Sequence, residues 1–198
     1  MTKIVGITGG IGSGKTTFSN YLKKIGFLVH ESDMVVSEIY TKPKKQFLSF
    51  IKEKISQESI NHNKINKAEI ANVIFNNNTI KKLLERRIHK EVQSSREAFI
   101  KKYTKNKKKI IFADIPLLFE NRLEKNFDLV ICIISSRKNR SKRVLKNKKF
   151  TKDNLNKIFK AQTTDKVRKK HAQIIINNNK TKKDFIFSIE KVLTRLIK

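Results

Sequence analysis

The run Gly9-Gly10-Ile11-Gly12-Ser13-Gly14-Lys15-Thr16 satisfies the pattern G-x-x-x-x-G-K-[ST], and these residue types suit the holding of a phosphate. Glycines let successive backbone N–H groups turn inward around an anion, and the N-terminus of a following helix adds partial positive charge. Lys15 has the reach to meet terminal phosphates, and Thr16 supplies a hydroxyl for Mg²⁺. The expected ligand is ATP or GTP, contacted by Gly10, Ile11, Gly12, Ser13, Gly14, Lys15, Thr16 and Thr17. A glycine-rich turn with an incidental Lys-Thr is the structural alternative, and a strand before and a helix after argue against it.

Other groups could complete a phosphoryl-transfer site. Asp33 follows the second apolar run, at the sheet end where open α/β folds bind ligands. It reads either as a base or orienting group for an acceptor hydroxyl, or as the cap of a helix beginning at Met34. Asp114 ends a third apolar run before Pro116. A place in the Mg²⁺ shell, through water, is favoured there over a turn or cap role. Arg137, Arg140 and Arg143 recur three residues apart, on one side of a helix. With Arg168 they are four of the nine arginines, which fits a lid that clamps phosphates, with Arg143 and Arg168 closing over them. A solvated basic helix is the plainer alternative. His89 reads as a packed or capping histidine, and His30, His62 and His171 show no ligand spacing, so no structural metal site is expected.

The elements that must position these residues are legible as periodicities. Lys3 to Thr8 reads as a buried strand, Phe18, Tyr21, Leu22 and Ile25 as a helix stopped by Gly26, and Phe27-Leu28-Val29 as a second strand. Residues 37–103 read as all helical, with Ile80, Leu83, Leu84, Ile88, Val92 and Phe99 along one helix face. Strand character returns at 110–114 and 129–134, both continuous apolar runs as in parallel sheets covered on two faces. A basic helical segment spans 137–170, a last strand 174–176, and an amphipathic helix through Phe185, Ile189, Val192, Leu193 and Leu196 closes the chain. Strands alternating with helices imply a layered α/β fold with a parallel sheet and two helical insertions.

Composition narrows the class. Among 198 residues there is one cysteine, Cys132, inside an apolar run, so no disulfide framework is expected. No apolar stretch approaches the roughly 18 to 20 residues of a membrane span, and the N-terminus lacks the zones of a signal peptide. A cytoplasmic protein with no membrane partner is expected, monomeric or weakly homo-oligomeric. The net charge of +29 invites a nucleic-acid reading. However, 37 lysines stand against 9 arginines, with 27 isoleucines and 18 asparagines, a profile of A/T-rich codons and poor in the cation suited to bidentate recognition. Nucleic-acid binding is therefore expected to be nonspecific at most.

Absent motifs decide further. There is no Asp-x-x-Gly switch, no Asn-Lys-x-Asp for guanine, and no Asp-Glu pair ending the third strand. What remains is a small-molecule kinase: one phosphate loop, a carboxylate for the acceptor hydroxyl, and a basic lid.

The chain resembles the dephospho-CoA kinase family over nearly its whole length. The resemblance rests on Ile7 to Thr16, on Asp114-Ile115-Pro116-Leu117-Leu118-Phe119-Glu120, on Asp33, on the Thr151 to Gln162 helix, and on Ile176-Asn177-Asn178. It implies a three-layer P-loop NTPase fold with a five-stranded parallel sheet, a helical acceptor-binding insertion and a helical lid. Residues 1–36, 106–136 and 172–198 would form the nucleotide-binding core, 37–105 the dephospho-CoA-binding domain and 137–171 the lid. The implied reaction is ATP- and Mg²⁺-dependent phosphorylation of the ribose 3′-hydroxyl of dephospho-CoA, the last step of coenzyme A biosynthesis. Asp33 would be the catalytic base, with Lys15 the catalytic cation and Thr16 and Asp114 toward the metal. The chain departs from the family pattern at Glu31 (usually Asp), Ser37 (usually Arg), Lys90 (usually Pro) and Asn147 (an arginine). Activity is still expected, weakened at most, because the loop, Asp33 and Asp114 are present. Two rivals are a kinase of another small hydroxyl acceptor, such as a nucleoside or a shikimate-like ring, and a nucleic-acid-binding ATPase.

Overall fold

A computed structural model describes residues 1–146 and 150–197. In chain order the elements are β1 (Lys3–Gly9), α1 (Lys15–Lys24), β2 (Val29–Glu31), α2 (Ser32–Thr41), α3 (Lys45–Lys54), β3 (Ile60–Asn61), β4 (Lys64–Ile65), α4 (Lys67–Asn76), α5 (Asn78–Lys105), β5 (Ile110–Asp114), β6 (Leu129–Ile134), α6 (Arg137–Leu145), α7 (Lys152–Ala161), α8 (Asp165–His171), β7 (Ile174–Asn177) and α9 (Lys182–Ile197). They gather into two compact units, Met1–Glu31 with Ile100–Lys198, and Ser32–Phe99.

The first unit holds the expected five-stranded parallel sheet, in the order β2-β5-β1-β6-β7. Register sets Ile7 beside Asp114 and Asp114 beside Glu31, so three strands deliver their C-terminal ends to one edge. Side chains alternate across the sheet. Val5, Ile7, Ile131 and Ile133 meet Phe18 and Leu22 of α1 and Phe185, Ile189 and Leu193 of α9 on one face. Val130, Cys132 and Ile134 join Leu118 and Phe119 on the other. Burial on both faces is why these strands read as unbroken apolar runs. Phe18 and Leu22 are fully buried, each contributing about 1.5–3 kcal/mol, and they lock α1 so that its N-terminus stands at the end of β1. Burial pushes the Cys132 thiol up to about 12, which keeps it protonated and inert.

The second unit packs Phe47 and Ile51 of α3 against Ile70 of α4 and Leu84 of α5, with Ile39 and Tyr40 of α2 alongside. Tyr40 meets the Phe47 ring edge-on at 6.1 Å between centroids.

Three expectations are corrected. The second strand lies at 29–31 and not 27–29: Phe27 turns edge-on against Phe112, while backbone pairing with β5 begins at the Leu28 carbonyl and runs on through the polar His30 and Glu31. Pairing needs no apolar side chain, so the apolar run misplaces it. The 37–103 stretch is not all helical, because β3 and β4 form an antiparallel hairpin. His62 and Asn63 between them both take positive φ, as a two-residue hairpin turn requires, and strands of two residues carry no readable alternation. His89 is exposed on α5, and Leu83 is more than a third exposed. Among the described residues no helix is long and apolar enough to cross a membrane.

Candidate active site

The loop between β1 and α1 is shaped by glycines. Gly12 and Gly14 sit at φ +73° and +109°, a region L-residues with a Cβ rarely occupy. A Cβ on Gly14 would lie 2.2 Å from the Asn178 amide nitrogen. The Ser13 N–H closes a tight turn onto the Gly10 carbonyl at 3.0 Å. α1 then begins without a side-chain cap and without an acidic residue in its first turn. Its first N–H groups and positive dipole end are left for an anion. The Ser13 hydroxyl is buried and has no hydrogen-bond partner among the described residues, as a cradle for phosphate oxygens would provide.

Lys15, the first residue of α1, places its Nζ 2.6 Å from Asp114 Oδ1. One turn on, the Ser19 hydroxyl donates to Asp114 Oδ2 at 2.7 Å. Lys15 and Ser19 are spaced i, i+4, so one helix face addresses the carboxylate that ends β5. Thr16 is exposed beside them. Thr16 and Asp114 are hard oxygen donors, which fits Mg²⁺, an ion that keeps several waters and takes one or two protein oxygens plus substrate phosphates. Among the described residues no group of three or more His, Cys, Asp and Glu is placed to hold a metal by itself.

The basic helices meet the loop from its other side. Arg143 donates to the carbonyls of Gly12 (3.2 Å) and Asn178 (2.8 Å) and to the Ser135 hydroxyl (3.2 Å). Arg137 and Arg140 lie over the Phe159 ring, and burial pulls the Arg140 guanidinium below its ordinary value, with Asp165 opposing. Arg168 is only 2% exposed, donating to Asp165 at 2.9 Å and Glu120 at 3.3 Å. Glu120 also accepts the Thr163 N–H at 2.8 Å. The Ile11 N–H of the loop is held by Gln162 Oε1 at 3.0 Å.

Glu120→Ala would leave Arg168 buried with one carboxylate, and Asp165 is itself about a third exposed. The expected loss is about 1–3 kcal/mol, near 2–4 °C of Tm per kcal/mol at this length, read by thermal denaturation. An unchanged Tm would mean that Asp165 alone satisfies the guanidinium.

Asp33 belongs to the second unit, exposed in the first turn of α2. The helix starts at Ser32, ahead of the expected Met34, so Asp33 is not its cap. Of the family departures, Glu31 pairs with Lys23, Ser37 and Lys90 are exposed, and Asn147 lies outside the described residues.

Sequence reasoning did not assign Gln162, Asn178, Ser135, Ser19, Glu120 and Asp165 to the site. Ser19 had a signal in its spacing from Lys15, and Glu120 and Asn178 lay in the quoted motifs. Gln162 ended the Thr151 to Gln162 helix of the resemblance, and Ser135 had no signal, since a lone hydroxyl is chemically unremarked until the fold brings it to a loop.

Comparison with known proteins follows the same lines. A family model described as dephospho-CoA kinase (CoaE) matches residues 3–184. A dephospho-CoA kinase of Fusobacterium nucleatum is 30% identical over 190 residues, 95% of each chain. One from Buchnera aphidicola is 34% identical over 181 residues, 91% of this chain and 82% of that one. The solved dephospho-CoA kinase of Campylobacter jejuni superposes with a TM-score of 0.75 at 23% identity, covering 99% of this chain and 98% of that one, a likeness of fold.

Proposed function

From the premise that this chain belongs to the dephospho-CoA kinase family, which catalyses the last step of coenzyme A biosynthesis, we propose that it phosphorylates the ribose 3′-hydroxyl of dephospho-CoA with ATP, using Lys15 and Asp33. The observation that carries this reading is the loop itself: glycines at positive φ, an uncapped helix N-terminus, and the Lys15 ammonium 2.6 Å from Asp114.

In this mechanism the N–H groups of Gly14, Lys15 and Thr16 hold the β- and γ-phosphates, those of Ile11 and Ser13 being held by Gln162 and the Gly10 carbonyl, and Thr17 follows in the first turn of α1. Lys15, tied to Asp114 before the nucleotide arrives, turns its charge to the phosphoryl oxygens as the β,γ-bridge breaks. Asp33 accepts the proton of the ribose hydroxyl while that oxygen bonds to the γ-phosphorus in line with the departing ADP oxygen. Thr16, and Asp114 through water, would hold Mg²⁺, which would supply charge neutralisation at the phosphates. Arg143 and Arg168, engaged with loop carbonyls and with Glu120 and Asp165, contribute positive potential and support to the loop, leaving direct phosphate contact to the loop and Lys15.

The Ser32–Phe99 unit is the proposed acceptor domain. It contains a cavity of about 390 Å³ whose lining includes Val35, Ile39, Phe47 and Ala98, with Lys42 and Lys44. Its apolar wall suits the pantetheine arm of the acceptor, with Glu38 and Glu91 in the same lining as Lys42 and Lys44. Ala98 is exposed, so Ala98→Trp should fold. It is expected to raise KM for dephospho-CoA about tenfold, equivalent to about 1.4 kcal/mol, with KM for ATP and for the truncated acceptor 5′-AMP unchanged. Equal KM shifts for both acceptors would rule out an arm-binding cavity.

The overall reading is tested by incubating the protein with Mg·ATP and dephospho-CoA, beside nucleosides and shikimate, and weighing products by mass spectrometry. Coenzyme A with one ADP per turnover is expected. Phosphorylation of a nucleoside or shikimate in preference to dephospho-CoA would replace the acceptor assignment.

A further inference from the structure

A cradle of backbone N–H groups works only if its peptide planes are aimed before the phosphate arrives, and a glycine-rich loop has little of its own to aim them. Across a trans peptide the C=O and the following N–H point in opposite directions. Whatever holds a loop carbonyl outward therefore turns the next N–H inward. In this chain the Ser13 carbonyl is held by Asn178, whose side-chain amide donates to it at 2.7 Å. Asn178 is 7% exposed and its own N–H is donated to the Ile134 carbonyl at the end of β6. Arg143 closes the arrangement: one guanidinium nitrogen lies 3.2 Å from the Gly12 carbonyl and 3.2 Å from the Ser135 hydroxyl, the other 2.8 Å from the Asn178 carbonyl. The Ser135 hydroxyl lies 2.9 Å from that same Asn178 carbonyl.

We propose that Asn178 and Arg143 form a strap that pins the outer side of the phosphate loop to the ends of β6 and β7, and so aims the Gly14 N–H at the β-phosphate of the bound nucleotide. Both are positioning residues, acting through the Gly12 and Ser13 peptides. The strap gives Gly14 a second reason to be glycine, since a Cβ there would collide with the Asn178 amide. It also gives the scarce arginine at 143 a task lysine cannot perform. A single ammonium lacks the planar fork that spans the Gly12 and Asn178 carbonyls.

This inference rests on the loop being the nucleotide site, which ADP binding to the unaltered chain and its weakening in Lys15→Ala test separately. The experiment is calorimetric titration of the full chain, its acceptor site filled by saturating dephospho-CoA, with ADP and with AMP, nucleotides that differ in the phosphate the loop grips. Asn178→Asp keeps the size and the acceptor for Arg143 but loses the donor to Ser13. It is expected to weaken ADP about 10- to 100-fold and AMP less than about threefold, with KM for dephospho-CoA unchanged. Arg143→Lys is expected to narrow the ADP-to-AMP preference in the same direction by a smaller factor, and serves as the readout if Asn178→Asp does not fold. Equal losses for ADP and AMP would assign these residues to the base, the ribose or general stability, and an unchanged preference in a folded variant would leave the loop self-supporting. Either result overturns the strap.

Discussion

Replacing Lys15 with alanine is expected to lower kcat by at least about 10³-fold, the scale on which loss of a preorganised cation or donor at a developing charge is felt. The Lys15 side chain is 13% exposed and its ammonium lies on Asp114, so it works from a partly desolvated position where its charge is weakly screened. No neighbouring lysine can replace it, because its place is set by the first turn of α1, and α1 is held by Phe18 and Leu22 in the core. The variant also leaves Asp114, 6% exposed at its side chain, without its cation. Circular dichroism and a melting curve are therefore run beside the steady-state assay. A folded Lys15→Ala protein with near-normal turnover would remove the loop from the mechanism.

Asp33→Asn is expected to lower kcat by about 10² to 10⁴, the range for loss of a general base, while ATP affinity is mostly retained. The substitution is close to isosteric at an exposed position. Its structural cost is bounded by the loss of a negative charge near a helix N-terminus, about 0.3–1 kcal/mol. The test compares kcat, KM for ATP and melting temperature of the two proteins. Unchanged turnover with a slightly lowered Tm would make Asp33 a helix-terminus residue, serving α2 and not the acceptor hydroxyl.

The two variants also differ in what made their residues visible. Lys15 is part of a contiguous pattern, and every group it works with in the loop lies within eight residues of chain. Asp33 was visible only as an acid after an apolar run, and its rank rose on a resemblance. Even the strand before it is displaced from the apolar run, because Phe27 packs edge-on against Phe112 while the ladder begins at the Leu28 carbonyl and runs through His30 and Glu31. The β3–β4 hairpin was unreadable for a related reason: its turn depends on backbone conformations of His62 and Asn63 that their side chains permit without announcing.

By itself the sequence determined the sheet strands through unbroken apolar runs, the helices through their stripes, and the phosphate loop through eight adjacent residues. Each of these is a local pattern, where the residues that act together are neighbours in the chain. The tertiary structure alone decided what surrounds the loop: Gln162 on the Ile11 N–H across 151 residues, Asn178 on the Ser13 carbonyl across 165, and Arg168 on Glu120 across 48. Single polar side chains gain such roles from long-range packing, which sets their partners and excludes water, and no spacing within the chain encodes that.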